Sequence, residues 1–206
     1  CILSAGRGTR NRSIEGLHKS LLPLENKSTI SHIIEKFHED IEIVVALGFK
    51  ANQVESYIRH VFPNRKIEFV LVDNFAGKGS GPGLSLLKCK ELLQCPFVFT
   101  SSDTIIEEKH KLDSLEDNWI GTSQVLPSLS HNYCLVKGVE FLQELYTGIG
   151  DKAYNGIAGI FEFEKFWESM ENPKDNSGER QVLDGFRDLE AIRLVNFTWH
   201  DTGNIM

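Results

Sequence analysis

Four segments of this chain carry residue types suited to phosphate chemistry. The first is Ala5-Gly6-Arg7-Gly8-Thr9-Arg10, directly after the apolar pair Ile2-Leu3. Gly6 and Gly8 let backbone N–H groups approach a triphosphate with no Cβ in the way. Arg7 and Arg10 offer guanidinium donors to phosphate oxygens. Lys19 follows in His18-Lys19-Ser20-Leu21-Leu22-Pro23, where an ammonium can reach an α-phosphate and an incoming anion together. Taken alone, the glycines describe a basic surface turn equally well. The loop is neither a Walker loop nor a dinucleotide fingerprint, because the third glycine is missing and Lys19 stands too far away.

The second segment is Ser101-Ser102-Asp103-Thr104, after the apolar run Pro96 to Thr100, and the third is Trp199-His200-Asp201-Thr202-Gly203-Asn204. A carboxylate at the carboxyl end of a strand can hold Mg²⁺, which binds through one or two carboxylates plus substrate phosphates. Singly, Asp103 and Asp201 read more simply as turn or capping residues. The fourth segment, Gly77-Lys78-Gly79-Ser80-Gly81-Pro82-Gly83, precedes a helical pattern. It makes either a hinge or a shaped backbone surface for a base edge, with a helix N-terminus near phosphate.

These segments need a scaffold, and the apolar pattern supplies one. Ile2-Leu3, Ile41 to Leu47, Ile67 to Val72 and Pro96 to Thr100 read as strands. Thr29 to Phe37, Ala51 to Val61 and Gly83 to Leu93 read as helices between them. That alternation implies βαβ units and a parallel sheet, with ligands bound beyond the carboxyl ends of its strands. The second half is less regular. Trp119 to Val125, Tyr133 to Lys137, Gly156 to Phe163 and Ala191 to Thr198 read as strands, and Glu164 to Met170 and Gln181 to Leu189 as helices. The expected fold is therefore α/β: a Rossmann-like, mostly parallel sheet flanked by helices, with a small added β-rich portion. One domain is expected over residues 1–206. The strand-like opening at Cys1 and the abrupt end at Met206 imply further residues on either side.

Composition narrows the function. The chain is 41% hydrophobic and 25% charged, with a formal net charge of −7, which argues against a broad nucleic-acid or anionic-membrane surface. No apolar run approaches the ~20 residues of a membrane span, and no signal peptide is visible, so a cytoplasmic location is expected. The four cysteines form no CxxC pair, and the seven histidines form no HxH or HExxH group, which makes a zinc site a poor reading. Oligomeric state is open.

Taken in order, Gly6 to Arg10, Lys19 to Pro23, Asp103 and Asp201 resemble the nucleotidyltransferase family that makes NDP-sugars and CDP-alcohols. The resemblance runs over nearly the whole chain. Lys19-Ser20-Leu21-Leu22 is similar to the phosphocholine cytidylyltransferase branch, which favours CTP. Two features depart from the sugar-specific branch: only Asp151-Lys152 stands where a Glu-Lys-Pro segment is usual, and the base loop lacks a glutamine. They leave the acceptor open between phosphocholine, other phosphorylated amino alcohols or acids, phosphonates and sugar phosphates.

The resemblance implies the fold of nucleotide-diphospho-sugar transferases and attack of an acceptor phosphate on the α-phosphorus of an NTP, with Mg²⁺ on Asp103 and Asp201. It implies that Lys19, Arg10 and Asp103 are catalytic. Leu3, Ala5, Gly6, Arg7, Gly8, Thr9, Ser80, Gly81 and Gly83 would contact the nucleotide. Lys152, Asn155, Ala158 and Gly159 would face the acceptor. Three rivals remain: a nucleotide-sugar glycosyltransferase, a non-catalytic nucleotide-binding regulatory subunit of the same fold, and a dinucleotide oxidoreductase. The first usually shows Asp-x-Asp, which Ser101-Ser102-Asp103 is not. The second should have lost a carboxylate or the lysine, and the third fails on the spacing of its fingerprint.

Overall fold

A computed structural model describes residues 1–8, 16–109, 112, 115–173 and 178–203. Its centre is β1 (Ile2–Ser4). Along the chain follow a small ribbon of β2 (Pro23–Leu24) and β3 (Lys27–Ser28), helix α1 (Thr29–Ile34), β4 (Ile43–Leu47), α2 (Ala51–Val61), β5 (Ile67–Leu71), α3 (Pro82–Lys88) and β6 (Phe97–Ser101). The second half contains β7 (Thr104–Ile106), β8 (Trp119–Gln124), β9 (Leu135–Gly138), β10 (Leu142–Tyr146), β11 (Lys152–Ile160), α4 (Phe163–Glu171), β12 (Arg193–Asn196) and β13 (Trp199–Asp201).

The main sheet runs β10-β9-β11-β6-β1-β4-β5, with β8 on β11 and β12 on β8. β1 pairs in parallel with both β4 and β6, setting Ile2 opposite Val45 and Thr100. All five residues of β4 are buried, as expected of a parallel strand covered on both faces. Alternation along the strands sorts the core into two layers. Ile2, Val45 and Leu47 pack with Ile30 and Ile34 of α1 and Val54 and Ile58 of α2. Leu3, Ala46 and Phe99 pack on the other face with Leu86 of α3 and Phe166, Trp167 and Met170 of α4. β11 then joins β6 antiparallel, with Ile157 opposite Thr100.

The α/β sheet, its flanking helices and its added β portion match the sequence reading. Among the described residues no helix is long and apolar enough to cross a membrane. Several elements differ from expectation. The helix expected over Gln181 to Leu189 is a short 3-10 turn, Val182–Phe186. Residues 180–181 stay extended because Arg180 N–H donates to Ser80 O (2.7 Å) and Arg180 O accepts from Gly83 N–H (2.9 Å). The expected last strand, Ala191 to Thr198, is β12, and a further strand, β13, follows it and leaves the main sheet to pair with β7. β7 and β10 were not read as strands.

Candidate active site

Lys19 opens a 3-10 turn, Lys19–Leu21, that His18 caps. The His18 ring is fully buried. Its Nδ1 accepts from the Ser20 N–H (3.2 Å) and lies 2.7 Å from the Ser20 hydroxyl, which puts the neutral ring's proton on Nε2. Burial pushes the His18 pKa down to about 4; the Lys19 and Lys50 charges add to the fall, and the Gly6 backbone opposes it. The His18 N–H donates to Gln53 Oε1 (2.8 Å), and Gln53 Nε2 donates to Gly16 O (2.9 Å). Helix α2 thereby fixes the turn that carries Lys19.

From that turn Lys19 reaches across the ends of β1 and β6, and its Nζ donates to Asp103 Oδ2 at 2.7 Å. Its stem passes tightly over the glycine loop: a Cβ on Gly8, whose φ is +65°, would lie 2.8 Å from Lys19 Cδ. Asp103 follows β6 directly, and β13 pairs antiparallel with β7 so that Asp201 stands opposite Thr104. The two carboxylates converge on Gly203, where a methyl would sit 2.9 Å from Asp103 Oδ2 and 3.1 Å from Asp201 Oδ1. The Gly203 N–H donates to Asp201 Oδ1 (2.8 Å) and the Tyr133 hydroxyl to Asp201 Oδ2 (3.1 Å). The Thr202 N–H donates to Asp103 O (3.1 Å). Residues 19, 103 and 201, far apart in sequence, thus form one cluster.

The cluster borders a crevice of about 400 Å³ at the carboxyl ends of the strands, walled by Leu3, Ala5, Gly6, Arg7 and Gly8 on one side and Phe75, Ser80, Gly81 and Glu179 on another. That volume suits a nucleotide-sized ligand. A larger groove, about 760 Å³, lies at the opposite ends of the same strands beside Cys1, Ile43, Ile67 and Phe97. None of the sequence-marked residues lines it.

The structure gathers Leu3, Ala5, Gly6, Arg7, Gly8, Lys19, Ser80, Gly81 and Asp103 at the crevice. Thr9 and Arg10 lie outside the described residues. Several of the expected residues are also engaged within the chain. The Arg7 guanidinium stands 5.6 Å from the ring centroids of both Phe49 and Phe75, a cation–π arrangement at the edge of the crevice. The Ser80 hydroxyl is taken up by Gly77 O (2.6 Å). Gly81 and Gly83 make room for this chain's own backbone: added Cβ atoms would lie 2.6 Å from Arg180 O and 2.7 Å from Gln181 O.

The expected acceptor residues are mostly interior. Ala158 has no exposed surface, and a Cβ on Gly159 would collide with the Trp119 indole at 2.1 Å. Asn155 is buried and donates to Ser123 Oγ (3.0 Å). Lys152 Nζ donates to Gly138 O (3.1 Å), fastening β11 to the end of β9. Their spacing in β11 serves strand packing.

Tyr133, Phe49, Phe75 and Glu179 stand at or beside the site with no signal in the sequence reading, because no local motif joins them to it. His18 was visible only as one of seven histidines, although it adjoins Lys19. For a metal, Asp103 and Asp201 offer hard oxygen donors on one spot, which fits Mg²⁺ completed by phosphate oxygens and water. Among the described residues no group of three or more His, Cys, Asp and Glu could hold an ion, so this chain would supply two carboxylates.

No family model matches the sequence. The bifunctional protein GlmU of Methanococcus vannielii is 30% identical over 225 residues, covering 98% of this chain and 51% of that protein. The GlmU of Methanocaldococcus jannaschii is 26% identical over 213 residues, covering 98% and 50%. The chain thus spans about half the length of these curated relatives. Among solved structures, a UDP-glucose pyrophosphorylase complexed with UDP-glucose superposes with a TM-score of 0.77 at 16% identity, covering 98% of this chain and 92% of that one. The CTP:phosphocholine cytidylyltransferase of Streptococcus pneumoniae also gives 0.77, at 15% identity, covering 99% and 92%. At such identities the likeness is one of fold.

Proposed function

We propose that this chain, 30% identical to the bifunctional protein GlmU of Methanococcus vannielii, acts as a nucleotidyltransferase and transfers a nucleotidyl group from a nucleoside triphosphate to a small phosphorylated acceptor. One observation carries the reading: Lys19, Asp103 and Asp201 converge beside the Gly6–Gly8 loop at the carboxyl ends of parallel strands. An acceptor phosphate oxygen attacks the α-phosphorus, the bond to the β-phosphate oxygen breaks, and pyrophosphate leaves. Such a reaction asks little covalent chemistry of the protein, and positioning with charge neutralisation dominates.

Lys19 neutralises the α-phosphate and the incoming phosphate, and the amides of Gly6 to Gly8 face the triphosphate. Asp103 and Asp201 are the residues that would hold Mg²⁺, which when bound neutralises charge on the reacting phosphates. Tyr133 orients Asp201, and His18 holds the Lys19 turn. A sugar phosphate is the proposed acceptor, in line with the relation to GlmU and the fold shared with UDP-glucose pyrophosphorylase. Phosphocholine with CTP is the second reading, supported by Lys19-Ser20-Leu21-Leu22 and the fold shared with the pneumococcal cytidylyltransferase.

The test is pyrophosphate release across CTP, UTP, dTTP and GTP, each with sugar phosphates, phosphocholine and other phosphorylated amino alcohols, with Mg²⁺ present. Release with one matched pair, lost on chelation, is the expected result. Nucleotide binding without release from any pair would replace this reading with that of a regulatory subunit.

A further inference from the structure

The far wall of the crevice is built from two segments a hundred residues apart. Residues 178–181 lie along the Gly77–Gly83 loop: Gly79 N–H donates to Gly178 O (3.2 Å), Arg180 N–H to Ser80 O (2.7 Å) and Gly83 N–H to Arg180 O (2.9 Å). Side chains consume more of the loop's polar groups. Ser80 Oγ donates to Gly77 O (2.6 Å), Ser85 Oγ to Gly81 O (3.2 Å) and Asn74 Nδ2 to Lys78 O (3.3 Å).

Glu179 adds a carboxylate-bearing side chain to this wall. Glu179 lines the crevice with Phe75, Ala76 and Gly81, and its Cβ lies 3.2 Å from where a methyl on Gly81 would stand. Among the described residues its side chain enters no ion pair or hydrogen bond. Among the described residues, the site's Lys19 and Arg7 are engaged by Asp103 and by the two phenylalanine rings.

We propose that Glu179 reads the base of the donor nucleotide and selects one bearing an exocyclic amino group, cytosine among the pyrimidines. The proposal rests on the nucleotide-binding reading of this crevice. A carboxylate accepts hydrogen bonds and cannot donate them, and the 4-amino group of cytosine is the donor that a Glu or Asp matches. Uracil and thymine carry a carbonyl oxygen there. Their N3–H lies between two carbonyl oxygens, so a carboxylate that meets it also meets their negative charge. CTP and UTP differ only at this edge, which makes them a clean pair for the test.

The experiment is calorimetric titration of the full chain with CTP, UTP, ATP and GTP in Mg²⁺, for the wild type and Glu179→Gln, alongside pyrophosphate release. Glu179 is exposed, so the substitution leaves the fold intact. The wild type should bind CTP about tenfold or more tighter than UTP, within the range one good base-edge pair gives. Glu179→Gln should bring the two within about threefold, because an amide both donates and accepts. Equal or tighter UTP binding by the wild type overturns the proposal, as does an unchanged CTP-to-UTP ratio in the variant. Tighter binding of ATP or GTP than CTP overturns the choice of cytosine. A CTP preference without pyrophosphate release keeps Glu179 as the base reader and removes the transfer reaction. Release with UTP favoured does the reverse, and failure of every nucleotide to bind removes both.

Discussion

The parallel strands β1, β4, β5 and β6 share a sheet with the antiparallel strands β8, β9, β10 and β11, yet the two groups place their functional and structural polar side chains differently. On the parallel side the polar groups of the site stand past the strand ends, as Lys19 and Asp103 do. On the antiparallel side a set of buried polar groups is joined by hydrogen bonds. Asn155 Nδ2 donates to Ser123 Oγ (3.0 Å), Ser123 Oγ to Phe197 O (2.8 Å) and Thr104 Oγ1 to Asn155 O (2.7 Å). Parallel neighbours need long crossovers, which leave loops over the strand ends. Antiparallel neighbours close on short turns and can bond their own polar atoms. Chemistry should therefore depend on the first group and stability on the second.

Substitutions can break that division. Lys19→Ala should cost about 2.7–4 kcal/mol in the barrier, roughly 10²–10³-fold in kcat, with little change in the unfolding midpoint, the magnitude seen for comparable preorganised donors. Near-normal pyrophosphate release from the folded variant would remove Lys19 from the reaction and blur the comparison. Gly159→Ala should do the opposite. Its new methyl meets Trp119, and overpacking of this kind costs about 1–3 kcal/mol. Denaturant titration reads this loss, and an unchanged midpoint with a raised acceptor KM would return Gly159 to an acceptor pocket.

A third test sharpens the parallel side. His18 titrates at about 4 in the fold, against about 6.5 in an unfolded chain. Between those values the unfolded chain binds the proton and the native chain does not, so stability falls as pH drops through that window. The slope attributable to His18 is at most about 1.4 kcal/mol per pH unit. Chemical denaturation at pH 4.5 and 7, for the wild type and His18→Gln, should show a smaller difference in the variant; equal differences would exclude His18 as the cause. The smallest effect is expected from Lys152→Met. Losing the bond to Gly138 O should lower stability by about 0.5–1.5 kcal/mol and leave the acceptor KM within about twofold. A large rise in KM would show that Lys152 turns toward the acceptor.

The parallel half was readable because each of its elements is local. Ala51–Val61 was recovered residue for residue, since Val54 and Ile58 repeat at helical spacing and Pro63 stops the run. Lys19, Asp103 and Asp201 were readable as a set because their order along the chain carries the information. Gln181 to Leu189 misled for the converse reason. Val182 and Phe186 share a face as they would in a helix, but pairing of Arg180 with Ser80 holds the chain extended just before them. β7 is three residues long and exists only because β13 returns to it. Tyr133 and Glu179 gain their places from contacts no local spacing encodes.

The segment that seals the far wall of the crevice has a consequence for how the molecule is assembled. Arg180 bonds to Ser80 across a hundred positions, a separation that makes contacts slow to form. During synthesis β1, β4, β5 and β6 can pair once β6 is made, but the Gly77–Gly83 loop gains its long-range bonds only when residues 178–181 arrive. The crevice is thus among the last features this chain completes, and a nascent chain halted before Gly178 would lack the segment that closes its far wall.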